Sequence, residues 1–115
     1  MLLVATLFSV HDLNAEDLLI RSLCRGGSWQ IAARHVAPEL VGTDLLRHQQ
    51  DVAPALYLCL DFWTKTEAHL RSCRSPAVQS LFAARRMCAD SAFELGAFAF
   101  ATIPEVGNSL RAFVN

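Results

Sequence analysis

The run from Ala55 to Trp63, ALYLCLDFW, constrains the fold more than any other part of the chain, because it is apolar on both sides of a strand. Strand side chains point alternately to opposite faces. Leu56, Leu58, Leu60 and Phe62 therefore share one face, and Ala55, Tyr57, Cys59, Asp61 and Trp63 share the other. A sheet built on this strand needs cover in front and behind. At about 1.5 to 3 kcal/mol per buried Leu or Phe, the four-residue face alone represents about 6 to 12 kcal/mol when covered. That is an upper bound, since unfolded chains already bury some area, yet it rivals the stability of a whole domain.

The rest of the chain reads as partners for this strand. Leu2 to Val10 is apolar, with β-branched and aromatic members, and has strand length. MLLVATLFSV is as apolar as the core of a signal peptide, but neither a basic leader nor an A-x-A-like site accompanies it, so it is expected to be the first strand. Asn14 is placed to cap a helix with Glu16 and Asp17 in its first turn, where the macrodipole favours acids. The helix should reach about Val36 before Pro38, with a kink or restart at Ser28 after Gly26 and Gly27. A second strand is predicted over 40–48. After Trp63, Thr64-Lys65-Thr66-Glu67 has the form of a capping box. Ser75-Pro76 then marks a second helical start, followed by Val78, Leu81, Phe82 and Arg85 at helical spacing. A final strand is predicted over 93–102, leaving a tail, 104–115, whose Leu110 and Phe113 are expected to dock on the body or on a partner.

The order is βαββαβ, and 115 residues suit a single domain. Two helical arms joining four strands cover one face of the sheet, and monomers rarely leave an apolar patch as large as the other. The composition agrees, being 53% hydrophobic and 18% charged. A two-fold homodimer with the sheets face to face is the simplest closed solution.

Charge argues against nucleic acid as a ligand. The net charge is -1, and the nine arginines and one lysine are scattered through the expected helices, most simply as a solvated face, with Arg85 and Arg86 also suiting a helix C-terminus. Nor does any apolar run approach the roughly 20 residues that cross a bilayer. Cys24, Cys59, Cys73 and Cys88 lack C-x-x-C spacing and read as reduced thiols of a cytoplasmic protein. His11, His35, His48 and His69 are not spaced to present two ligands on one face, so no metal is expected.

Residues 2 to 103 resemble the antibiotic biosynthesis monooxygenase-like domain. The likeness is carried by LVGTDLLRH (40–48), YLCLDFWTKTEAH (57–69) and ELGAFAF (94–100), above all by a strand that ends in tryptophan and runs directly into a helix. The resemblance implies a ferredoxin-like α+β fold: a four-stranded antiparallel sheet with helices on one face, paired into a dimeric α+β barrel. It also implies a domain spanning 1–103 and a cleft between sheet and helices lined by Trp63. Two chemistries come with it. One is oxygenation of polycyclic aromatic substrates without a cofactor; the other is oxidative breakdown of haem. The haem pattern wants an asparagine on the first strand and a histidine on the later helix, where this chain has Leu7 and Phe8, and Ala83, Ala84 and Arg85. Glu39, after Pro38, stands where relatives often carry glycine.

The candidate ligand cleft is therefore Tyr57, Cys59, Asp61, Trp63 and His69, with Asp61 and Trp63 the catalytic candidates, and Leu56, Leu58, Leu60 and Phe62 form the expected dimer face. A buried carboxylate at Asp61 would suit a base toward an acidic phenol. Its competing role is to accept hydrogen bonds from a helix terminus or an arginine, as structural pairs do. Trp63 and Tyr57 serve equally well as core packing. The expected function is binding of a small aromatic molecule with cofactor-free oxygenation; the alternative is a non-catalytic ligand sensor.

Overall fold

The computed structural model describes residues 1–50 and 53–99. Among them the order is β1 (Leu2–Val10), α1 (Leu13–Leu23), α2 (Ser28–Val36), β2 (Leu40–Arg47), β3 (Ala55–Trp63), α3 (Thr66–Cys73), α4 (Pro76–Arg86) and β4 (Ser91–Ala99). The strands form one antiparallel sheet in the order β2-β3-β1-β4, the ferredoxin-like arrangement. The central pair runs in unbroken register from Leu2 opposite Trp63 to Val10 opposite Ala55. Each edge strand carries one register shift, at Val41 in β2 and at Leu95 in β4.

All four helices cover the same face. Leu2, Val4, Phe8 and Val10 of β1 meet Tyr57, Cys59 and Trp63 of β3 beneath Leu19, Leu23, Trp29, Ala33 and Val78 of the helices. Each helix of the first arm buries one stripe, with Leu19 and Leu23 on α1 and Trp29 and Ala33 on α2 following the four-residue repeat of a helix face. Gln30 ties the first arm together: its amide nitrogen donates to the carbonyls of Leu23 and Thr43, both at 2.8 Å, so the end of α1 and the start of β2 are satisfied by one buried side chain.

The break between α1 and α2 falls at the two glycines. Gly26 has φ +77°, a left-handed conformation that favours glycine. Gly27 caps α2 from a position where a Cβ would run into the carbonyl oxygens of Arg21 and Ser22. Two capping expectations need correction. Helix α1 starts earlier than Asn14, because Asp12 is its cap and accepts from the Asn14 amide at 3.1 Å. Thr64 does not cap α3: its amide donates to the Glu39 carbonyl at 3.0 Å, prolonging the β2–β3 pairing, and Lys65 becomes the cap residue with no side-chain bond. At Ser75-Pro76 the expectation holds, with Ser75 Oγ accepting from Val78. The last strand begins at Ser91, two residues before its expected start, and residues 100–102 of that strand and the tail 104–115, with Leu110 and Phe113, lie outside the described residues.

The opposite face of the sheet carries no helix. Leu56, Leu58, Leu60 and Phe62 lie there, each only partly buried, alternating with the fully buried set. Cross-strand neighbours extend the patch: Leu3 opposite Phe62 and Phe98, and Leu7 opposite Leu58 and Phe93. Phe93 and Phe98 are 65% and 54% exposed, high for aromatic side chains.

Candidate functional site

Between the sheet and the second helical arm lies a cavity of about 230 Å³. Its floor is Val4, Thr6 and Phe8 of β1 with Asp61 and Trp63 of β3; α3 adds His69 and Cys73, α4 adds Val78, Gln79, Phe82, Arg85 and Arg86, and β4 adds Ala92 and Glu94. Aromatic rings shape it. Trp63 stacks on Phe82 at 6.2 Å between centroids and meets His69 edge-on at 5.1 Å. Trp63 is 1% exposed, and its indole N–H finds no acceptor among the described residues. Buried donors are nearly always paired, so this one is an exception among the described residues.

Beneath the rings is a buried ion pair. Arg85 reaches Asp61 through two parallel bonds of 2.6 and 2.9 Å, and Thr43 Oγ1 donates to the same carboxylate at 2.8 Å. Both partners are sealed, at 4% and 0% exposure. The guanidinium carbon also lies 4.5 Å from the Phe82 ring, 4.7 Å from Trp29 and 5.7 Å from Phe8. Burial pulls the Arg85 guanidinium down, but the charge and hydrogen bonds of Asp61 outweigh it and leave Arg85 above its ordinary value. Both Asp61 oxygens thus accept from protein donors, the arrangement of a structural ion pair.

Of the expected cleft residues, Asp61, Trp63 and His69 are brought together at the cavity. Tyr57 and Cys59 share their face without reaching it. Cys59 is enclosed in the core, where burial pushes its thiol up to about 12. Tyr57 lies at the far end of β3 and donates to Glu16, which is also held by Arg47 at 2.8 Å. Burial, then the bond to Glu16, raises the Tyr57 hydroxyl above its usual value. Alternation fixes which face a residue takes but not how far along the strand the helices gape. His11 and His48 are exposed and outside the cavity; the His11 amide donates to Asp90, and His48 Nδ1 accepts from Gln50. Arg85, expected at a solvated helix end, is instead the buried partner of Asp61. Gln79, Phe82, Glu94 and Cys73 were not anticipated. The visible signal for Cys73 was its place one turn after His69. Among the described residues no three His, Cys, Asp or Glu side chains group to hold a metal, and no helix is long and apolar enough to cross a membrane.

No protein-family model matches the sequence, and neither does any curated protein. Solved structures do. SnoaB, a cofactor-independent oxygenase from Streptomyces nogalater, superposes with a TM-score of 0.55 at 24% identity over 90% of this chain and 96% of its own. The chain shares the fold of the antibiotic biosynthesis monooxygenases. A protein bearing that name superposes at 0.52 with 18% identity, over 90% of this chain and all of its own. A dimeric ferredoxin-like protein of unknown function from Jannaschia sp. CCS1 superposes at 0.53 with 12% identity over 87% of this chain. Within this monooxygenase fold, the cavity sits between the sheet and the second helical arm.

Proposed function

We propose that the cavity binds a small planar aromatic molecule and that the protein oxygenates it without metal or flavin. The observation that carries the binding is the aromatic wall that Trp63, Phe82 and His69 build on that cavity. A planar ring would pack on this aromatic surface. The oxygenation rests on the fold shared with SnoaB. In such a reaction the substrate provides the electrons: an activated CH₂ and O₂ become C=O and water, provided a proton is first removed. Asp61 is engaged by Arg85 and Thr43, so the proton acceptor in this reading is His69, whose Nε2 lies 3.4 Å from the Cys73 thiol. Asp61 then acts by holding Arg85 in place.

Haem fits poorly. Near the positions where the haem-degrading pattern wants asparagine and histidine, the chain has Leu7 and Phe8, and Ala83, Ala84 and Arg85. A second reading, a ligand-binding module without turnover, is favoured by the loss of Asp61 as a free base. Oxygen uptake with phenolic tricycles separates the two. Uptake that falls in Trp63→Phe supports the oxygenase, saturable binding with no uptake supports the module, and absence of both rejects the cavity as a ligand site.

We infer further that the helix-free face is covered by a second copy of the chain in a homodimer, with Leu56, Leu58, Leu60 and Phe62 at the centre. Support comes from the size of the patch and from the dimeric neighbour of the same fold. Sedimentation at low micromolar concentration is expected to give the dimer mass; folded single chains would overturn it.

A further inference from the structure

We propose that a second copy of the chain completes the cavity: pairing on the helix-free face steadies β4, the cavity's outer wall, so that ligand affinity and dimer affinity rise together. The inference rests on the cavity and homodimer readings above and joins them through one strand. Strand β4 lends Ala92 and Glu94 to the cavity. Its alternate residues turn to the other side, where Phe93 lies opposite Leu7 and Phe98 opposite Leu3. It is also the least secured strand. The other three each hold buried residues, whereas β4 holds none, and among the described residues it is hydrogen-bonded only to β1. A strand with one bonded neighbour and no buried side chain belongs to the part of a fold that opens most readily.

An irregular step in β4 ties its two sides together. The register slips at Leu95, between Glu94 on the cavity side and Gly96 on the helix-free side. Gly96 has φ +147°, a conformation that L side chains rarely adopt, and the Phe98 ring lies 3.5 Å from the place a Gly96 Cβ would take. A bulge of this kind sets the local bend of a strand and the aim of its side chains. A body pressing on Phe93 and Phe98 therefore also fixes the direction of Glu94.

The occupant follows from the chemistry of that face. Of its strand residues only Asp44, opposite Leu60, is charged, and Arg25 already meets it at 3.6 Å. A nucleic acid, an anionic lipid surface or a charged peptide would find no complementary groups there. A second copy brings the same uncharged surface, self-complementary about a two-fold axis. The size agrees. Four strands of eight or nine residues, at about 3.3 Å per residue and about 4.8 Å apart, make a face of about 600 Å² before side-chain relief. Stable interfaces take roughly 800 Å² per partner.

A ligand entering the dimer meets a wall already ordered, so the cost of ordering falls on pairing rather than on binding. Coupling of this kind is reciprocal. If each site gains a given factor in the dimer, filling both sites tightens the dimer by the square of that factor.

The test uses the full chain and 1-naphthol under nitrogen, which prevents oxygenation. Calorimetry should show 1-naphthol binding the wild-type dimer at least about fivefold more tightly than the single chains of Leu58→Arg, a substitution outside the cavity. Sedimentation of wild type over a range of concentrations should show the dimer constant tightening at least about 25-fold in saturating 1-naphthol. That second measurement needs no variant, so it stands even where Leu58→Arg fails to fold. Equal affinity for 1-naphthol in dimer and single chain, or a dimer constant unmoved by 1-naphthol, overturns the coupling and leaves the cavity and the dimer in place. Wild-type single chains that bind 1-naphthol remove the homodimer, and a dimer that binds none removes the cavity; either result takes this proposal with it.

Discussion

Replacing Asp61 by asparagine tests how the floor of the cavity is held. The change keeps the shape and removes the charge that neutralises Arg85, a guanidinium 4% exposed among Phe82, Trp29 and Phe8. The two bonds of 2.6 and 2.9 Å to Arg85 lose their ionic character, and Thr43 loses a charged acceptor. Breaking a buried pair from one side costs about 3 to 5 kcal/mol, because the remaining charge is left uncompensated. For a domain of this size about 4 °C accompanies each kcal/mol, so the melting temperature should fall by about 12 to 20 °C. Removing both charges is different. Asp61→Leu with Arg85→Met returns the site to an apolar core, and such exchanges are often neutral or better. Urea unfolding of wild type, Asp61→Asn and the double variant gives the three stabilities, with a constant slope confirming that the unfolded state is unchanged. A loss below about 1 kcal/mol in Asp61→Asn, or a double variant no more stable than the single one, would refute the account of a charge held by its partner.

Three further outcomes are expected. Gly27→Ala should destabilise the chain by about 1 to 3 kcal/mol in the same urea assay, because the added carbon has only backbone carbonyls of Arg21 and Ser22 to displace. The Glu16 carboxyl is held below its ordinary 4.5, first by the Tyr57 hydroxyl and then by Arg47. A depressed folded value favours the native state above the ordinary value and loses that benefit as pH falls through the depressed one. Wild type should therefore exceed Glu16→Gln in stability near neutrality, and the gap should close below 4.5; a gap constant with pH would exclude the ionised contact. Leu58→Arg, in the middle of the helix-free face opposite Leu7 and Leu46, should yield a folded monomer by sedimentation, whereas an unaltered dimer would move the interface elsewhere.

Strands β1 and β3 were legible to the residue because a buried strand flanked by polar or turn-forming residues announces its own ends, as LLVATLFSV before His11 and ALYLCLDFW after Pro54 do. The restart at Ser28 and the Ser75-Pro76 start were readable for the same local reason. Caps at Asp12 and Lys65 were not, since each depends on where a neighbouring strand lets go of the chain. The site was half visible. Alternation put Tyr57, Cys59, Asp61 and Trp63 on one face, but which end of that face lines the cavity depends on which residues α3 and α4 set above it. Arg85 shares the helical repeat of Val78, Leu81 and Phe82, which points it inward, but its pairing was hidden because the carboxylate it meets lies 24 residues away.

The two register shifts have a consequence for how copies of this protein meet. Both fall on the outer strands, where Val41 and Leu95 interrupt the ladder, while the inner pair is regular. An outer strand with a regular row of free amides and carbonyls invites another chain to continue the ladder, and an irregularity there spoils the template. This sheet is thus discouraged from growing sideways, while its helix-free side keeps its exposed apolar residues. In the homodimer proposed above, association would close after a single step, so a chain this rich in leucine and phenylalanine would pair without polymerising into fibres.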